Sequence, residues 1–263
     1  MMLKDKVAVI SGAGGDVGGA VARAFAREGA RLFLSGRTLR KVEAVVADVT
    51  SRGGVAEAAR VDALDEQAVD KYMGAVVEKA GAIDISFCAI SIAGALTNKA
   101  PLLELSAKEF ALPIATYTQA NFLTARSAAR RMIARRSGVI LTITATTSRM
   151  AFPNVGGTAP AYAAVVALTR TLSAELAPQG VRVVCVMPNA MPETATIREN
   201  FGRYAKAAGV TYAEYLTRLE SMTHLRRLTT LAELANAAAF LASDQASAMT
   251  GTIANLSGGA IVE

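Results

Sequence analysis

Histidine is almost absent from this chain and tryptophan wholly so: the 263 residues hold one histidine, His224, and no tryptophan. A lone imidazole reads as a surface or packing residue rather than as a catalytic base. Cysteine is nearly as scarce. Cys88 and Cys185 fall in predicted buried strands without metal-ligand spacing, which points to core packing in a reducing compartment and to no metal site. Long apolar runs are missing too. The most apolar stretch, Ile83 to Leu96, is broken by Asp84, Ser86, Ser91 and Gly94, short of the ~20 residues that a membrane helix needs. No secretory leader is recognisable, so the expectation is a soluble cytoplasmic protein. Charge is not concentrated either: 28 basic against 22 acidic residues give +6, spread along the chain. Only Arg126, Arg130, Arg131, Arg135 and Arg136 cluster, on one predicted helix. They read as a solvated helix face rather than a nucleic-acid surface. Repeats, low-complexity tracts and linkers are likewise not visible.

What is present is an apolar composition of 52%, enough for one large core, and a regular alternation of short apolar runs with longer amphipathic ones. The predicted strands are Lys6–Ser11, Arg31–Ser35, Ala58–Val61, Asp84–Ala89, Gly138–Thr144, Arg182–Met187 and Thr252–Leu256. Helices are predicted over Val17–Glu28, Leu39–Ser51, Asp65–Ala80, Ser106–Arg136, Ala159–Leu176 and Leu231–Leu241. Nearly continuous apolar strands belong to a sheet covered on both faces, and strict strand–helix alternation implies parallel crossovers. The expected fold is a single α/β domain over residues 1–263, a Rossmann-type doubly wound parallel sheet. One stretch breaks the rhythm, at about residues 188–229. It is expected to overhang the carboxyl ends of the strands, where such sheets bind ligands, as a substrate lid.

The first strand runs into SGAGGDVGGAVARAF, whose small residues allow a tight turn and bring helix N–H groups toward a diphosphate. The G-x-G-x-x-G spacing fails, because Val17 stands where its third glycine would be. A longer spacing fits in part: Ser11, Gly12 and Gly18 resemble the T-G-x-x-x-G-x-G of the short-chain dehydrogenase/reductase family, with Asp16 in the place of the middle glycine. The resemblance extends over nearly the whole chain, through GVILTIT, LTRTLSAELAPQGVRV and RRLTTLAELANAAAFLASDQASAMTGTIANLSGG. It implies a nicotinamide dinucleotide held by Gly12, Gly14, Val17, Gly18, Arg37 and Asp62, the last matching the family's adenine-contacting aspartate. Arg37 follows the second strand, where an arginine can fork onto a ribose 2′-phosphate, so the expected cofactor is NADP(H). Asp16 has two readings. It caps the first helix, or its charge closes the phosphate site. Cys88, Ala89, Ile90 and Ser91 replace the family's Asn-Asn-Ala-Gly, and Pro188 with Asn189 replaces its Pro-Gly.

The family's Asn-Ser-Tyr-Lys tetrad is replaced as well. Aligned on LTRTLSAEL, Thr158 stands at the tyrosine, Tyr162 at the lysine, Ala145 at the serine and Tyr117 at the asparagine. A second register makes Tyr162 the tyrosine and leaves Val166 where the lysine should be. The first register needs no gap, and it sets Thr158 at a helix N-cap with Pro160 in the first turn. Thr158 and Tyr162 are four apart and share a helix face. Tyr162, with Tyr117 as partner, is the better proton donor, against a structural reading in which it only fills the volume of the lost lysine. Thr144, Thr146, Thr147 and Ser148 supply hydroxyls beside Ala145; Tyr204, Tyr212, Tyr215 and His224 lie in the overhanging stretch.

Three functions follow. One is an NADP(H)-linked oxidoreductase acting on a small carbonyl, alcohol or alkene with a non-standard proton donor. The second is a non-redox enzyme using the same pocket, and the third a noncatalytic binding or scaffolding relative. The ligand is expected to be small, neutral and apolar, with no nucleic-acid or membrane partner. The helices Ser106–Arg136 and Ala159–Leu176 match the pair through which the family forms homodimers and homotetramers.

Overall fold

In the computed structural model, which describes residues 1–91 and 100–262, seven parallel strands form one sheet in the order β3-β2-β1-β4-β5-β6-β7. They are β1 (Val7–Ser11), β2 (Arg31–Gly36), β3 (Val55–Arg60), β4 (Ile85–Cys88), β5 (Gly138–Ile143), β6 (Val181–Pro188) and β7 (Ile253–Leu256). Crossover helices cover both faces: α1 (Asp16–Arg27), α2 (Leu39–Ser51), α3 (Glu66–Ala80), α4 (Ala107–Met132), α5 (Thr158–Leu176) and α8 (Leu231–Ala242). The order reverses between β1 and β4, which sets a crevice at the carboxyl ends of those strands. Two apolar clusters, one on each side of the sheet, form the core. One holds Ile10, Phe25, Leu34 and Leu141; the other holds Val9, Met73, Met132 and Ile140.

Six helix–strand alternations fall where the apolar periodicity puts them. One strand does not: β3 runs over Val55–Arg60 rather than Ala58–Val61. It is an edge strand paired only with β2, from Arg31 opposite Val55 to Gly36 opposite Arg60. Hydrogen bonding to β2 therefore fixes its length, and its first residue, Val55, is exposed to solvent. The two cysteines are buried and free, as core residues should be. Burial pushes each thiol up to about 11.

Three of the five clustered arginines are paired locally. Arg126 pairs with Glu66, Arg131 with Asp70, and Arg135 with Asp84. These contacts fasten α4 to α3 and to the start of β4. Among the described residues, no helix is long and apolar enough to cross a membrane, and no cluster of metal-ligating side chains occurs.

Residues 189–229 contain two further helices, α6 (Ala195–Ala207) and α7 (Tyr212–Ser221), which pack on each other beyond the carboxyl ends of β5 and β6. Their starts are fixed by local chemistry. Thr194 accepts from the Ile197 N–H, and Thr211 forms a reciprocal capping box with Glu214. Phe201 of α6 meets Tyr215 of α7 edge-on, with ring centroids 5.5 Å apart.

Candidate active site and cofactor cradle

The turn after β1 is held by backbone. The amides of Gly12 and Ala13 both donate to the Ser35 carbonyl, at 2.8 and 3.0 Å. Gly12 has a φ of +82°, and a side chain there would start 2.8 Å from the Ala89 carbonyl oxygen. At Gly18 the added carbon would stand 2.5 Å from the Gly12 carbonyl. Both positions therefore require glycine, and together they bring the first turn of α1, with its free N–H groups, to the crevice. Gly14 serves a different contact: its missing side chain makes room for Lys41 of α2, 2.9 Å from where a Cβ would lie. Val17 faces the crevice. Arg37 is exposed just past β2, in no ion pair among the described residues. Asp62 accepts from the Leu64 N–H at 3.1 Å, which orders the turn after β3.

Asp16 is not the cap of its own helix. Gly15 occupies that position without a side-chain hydrogen bond, and Asp16 is the first residue of α1. Its carboxylate instead accepts from the Ala195 N–H, at 2.8 Å. It thus joins the amino-terminal ends of α1 and α6, two places where backbone dipoles favour negative charge. The sequence pattern of a helix cap was correct in kind and wrong in partner, because the partner lies 179 residues away.

Thr158 is likewise not an N-cap. The capping position falls to Gly157, and Thr158 opens α5 with its hydroxyl buried and without a hydrogen-bond partner. Gly157 is forced by packing: a Cβ there would lie 2.0 Å from the Phe110 carbonyl and 2.9 Å from the Pro113 ring. The start of α5 consequently rests directly on α4. This close approach brings Tyr117 of α4 and Tyr162 of α5 together, with ring centroids 5.2 Å apart. Hydroxyls on β5 fix the rest of α5. Thr144 donates to the Tyr162 carbonyl at 3.0 Å, and Thr142 and Thr169 share a hydrogen bond of 2.7 Å.

Beside this tyrosine pair lie two cavities. The larger, of roughly 380 Å³, is enclosed by the ends of β5 and β6, the start of α5, and the inner faces of α6 and α7. The smaller, of roughly 150 Å³, extends from the same pair to Gly15, Asp16 and Val17. Tyr117, Ala145, Tyr162 and Asn189 belong to the walls of both. Burial, with the charge and hydrogen bond of Tyr117 next, pushes the Tyr162 hydroxyl well above the ordinary 10.0 of a phenol. It is therefore a neutral donor throughout the physiological range.

Of the hydroxyls expected beside Ala145, two are committed to structure. Thr144 holds Tyr162, and Ser148 donates to the Ala145 carbonyl at 2.8 Å. Thr146 and Thr147 line the larger cavity, and the Thr147 hydroxyl is buried without a partner. Val166, the lysine position of the alternative register, lines neither cavity. Tyr204 and Tyr215 do line the larger one; burial pushes the Tyr204 hydroxyl up to about 12, and that of Tyr215 upward as well.

Two expected contacts are not made. Tyr212 is exposed and packs against Phe201, with ring centroids 6.5 Å apart. His224 lies in a separate depression with Arg227 and Glu233, where Gly259 leaves space for its ring. Neither lines the larger cavity, whose wall on α6 and α7 is set by other residues. Asn200 is one that sequence reasoning missed: it is buried, lines the larger cavity, and has an unpartnered side-chain oxygen. The signal was available in the spacing of Ile197, Asn200, Phe201, Tyr204 and Ala208, one helical face.

A doubly wound parallel sheet with a glycine turn at its first crossover and its cavities at the switch point defines a dinucleotide-binding α/β protein. Comparisons with known proteins narrow this class. A family model described as enoyl-(acyl carrier protein) reductase matches residues 12–260. The oxidoreductase UcpA of Escherichia coli is 30% identical over 258 residues, covering 98% of this chain and 95% of the relative. YxbG of Bacillus subtilis, an oxidoreductase by name, is 30% identical over 257 residues, covering 98% and 91%. The crystal structure of an NAD⁺-bound xylitol dehydrogenase superposes with a TM-score of 0.91 at 26% identity, covering 98% of this chain and 100% of that one. The chain belongs to the short-chain dehydrogenase/reductase family of oxidoreductases. Membership implies a nicotinamide dinucleotide as cofactor.

Proposed function

We propose that the protein is an NADP(H)-linked oxidoreductase that interconverts a small carbonyl compound and its alcohol, with Tyr162 as the proton donor. The observation that carries this reading is the position of the Tyr162–Tyr117 pair in the wall shared by the two cavities. The turn fits a dinucleotide. A Cβ at Gly12 or Gly18 would strike backbone, so the tight turn depends on both glycines, and the first turn of α1 opens onto the smaller cavity. Gly14, Val17 and Asp62 complete the holding set, and Arg37 supplies the positive charge that a 2′-phosphate needs. When bound, the dinucleotide gives or takes a hydride.

The remaining chemistry belongs to this chain. Tyr162 holds a proton at its phenolic oxygen, kept there by burial, and offers it toward an oxygen in the larger cavity. Tyr117 holds the ring of Tyr162 in place and supplies a second hydroxyl. Among the described residues no lysine lines either cavity beside Tyr162, so this donor is weaker than a tyrosine beside a lysine, and turnover is expected to be slow. Helices α6 and α7 act as the lid that excludes water from the cavity. Asp16 bounds the smaller cavity on the diphosphate side and weakens dinucleotide affinity by like charge.

Titration with NADPH and NADH, followed by the cofactor's own emission, tests the cofactor half, and the absence of tryptophan keeps that signal clean. NADPH should bind about tenfold or more tightly than NADH, and Arg37→Ala should erase the difference. Equal affinities in the unaltered chain would assign Arg37 to the surface. Binding of neither would turn the assignment to the non-redox or scaffolding reading.

A further inference from the structure

The larger cavity carries a statement about substrate class, which rests on the reading that this cavity receives the substrate. Among the described residues, no aspartate, glutamate, lysine, arginine or histidine lines it. A phosphate or carboxylate drawn into such a wall loses its hydration and gains no counter-charge. Apolar and aromatic groups dominate instead: Phe152, Ile197, Phe201, Tyr204, Tyr215 and Leu219. Three of the rings form a continuous cluster, Phe201–Tyr215 at 5.5 Å and Tyr204–Tyr215 at 6.2 Å between centroids. That surface favours a rigid ring system over a flexible polar chain.

Polar recognition is confined to a few atoms. Thr158 and Asn200 are 8% and 5% exposed, both belong to the cavity wall, and each has a side-chain oxygen without a partner. Thr147 adds a third. Unpaired buried oxygens are costly in a folded protein, and a ligand that pairs them recovers that cost. Two of the three are hydroxyls, which can donate to a carbonyl or alcohol oxygen; the third is an amide oxygen, which needs a donor. A single alcohol group satisfies both demands. A polyol would leave most of its hydroxyls unpaired against the aromatic wall.

We propose that the cavity takes an uncharged, ring-containing secondary alcohol and the corresponding ketone, with Thr158, Thr147 and Asn200 as polar contacts in the wall beside Tyr162. The test is equilibrium binding to the full chain without cofactor, by isothermal titration calorimetry, of four probes with one bicyclic skeleton: β-tetralol, β-tetralone, tetralin and tetralin carboxylate. The alcohol should bind about tenfold more tightly than the hydrocarbon, with the ketone between them and the carboxylate showing no binding. Asn200→Leu should shrink the alcohol-to-hydrocarbon ratio toward unity while tetralin still binds, which also shows that the variant is folded; Thr158→Val should reduce the ratio several-fold. Binding of the carboxylate as tightly as the alcohol would overturn the proposal. So would an unchanged ratio in both variants, or no binding of any probe. The predicted ranking without turnover on adding NADP⁺ would uphold the substrate class and reject the redox reading.

Discussion

The two ends of the crevice are built in different ways. At the diphosphate end the geometry is made of backbone: Gly12 and Gly18 cannot take a side chain without collision, and the turn is hydrogen-bonded to Ser35. A charged group beside that turn, the Asp16 carboxylate, reaches outward to α6. At the reaction end the frame is equally intact, with α5 seated on α4 through Gly157, yet the chemistry is carried by side chains. Tyr117 projects from α4, and Thr158 and Tyr162 from α5, into that packed frame. A site built from main chain persists as long as the fold does. A site built from side chains can be exchanged at small cost to stability.

Replacing Tyr162 by phenylalanine should give the largest functional effect, a loss of about 10²–10⁴ in turnover with the thermal transition nearly unmoved. Steady-state kinetics beside a melting curve would show it. Unchanged turnover would remove Tyr162 from the chemistry and leave the reaction end a merely structural pocket.

The frame itself is tested by Gly157→Ala. A methyl group 2.0 Å from the Phe110 carbonyl must displace α5 from α4, at about 1–3 kcal/mol, or roughly 2–4 °C in melting temperature per kcal/mol. Turnover should fall with it, because the Tyr117–Tyr162 pair is set by that contact. Retention of both would separate the pair from the helix packing.

A smaller and opposite effect is expected from Asp16→Gly, which removes the charge beside the glycine turn. Dinucleotide affinity should rise about tenfold at low ionic strength, and the gain should shrink as salt screens the charge. Fluorescence titration at two salt concentrations reads both. Should affinity fall instead, the hydrogen bond to Ala195 matters more for ordering the site than the carboxylate does for repelling phosphate.

The least change is expected in the pH profile. Tyr162 is raised above 10.0 by burial, so its protonated form persists as pH rises through neutrality and only disappears above that value. Carbonyl reduction should therefore show no fall between pH 6 and about pH 9 from loss of this proton. A descending limb in that range would mean that a positive charge reaches the phenol during turnover.

The alternation of apolar periods was enough to give the class of sheet, its helices and the place of the crevice. Apolar burial and helix caps are local patterns, and each strand needs only its own sequence to declare its faces. The start of α5 was legible for the same reason, since the LTRTLSAEL pattern places Thr158 and Tyr162 on one face of that helix. Caps were less reliable: Asp16 and Thr158 had the right residue type at the right place, and neither caps its own helix. Spacing cannot tell a side chain that bonds back to its own turn from one that bonds to a distant element.

By itself, then, the sequence determined the doubly wound fold, the family and the glycine turn. Those are properties of period, residue type and order along the chain. Tertiary structure alone decided that Asp16 joins α1 to α6, that Tyr117 and Tyr162 meet, that His224 and Tyr212 stay outside, and that Asn200 faces in with Thr158. The cavity wall is assembled from segments far apart in the chain, and contact across such distances is settled by packing, which no local pattern encodes.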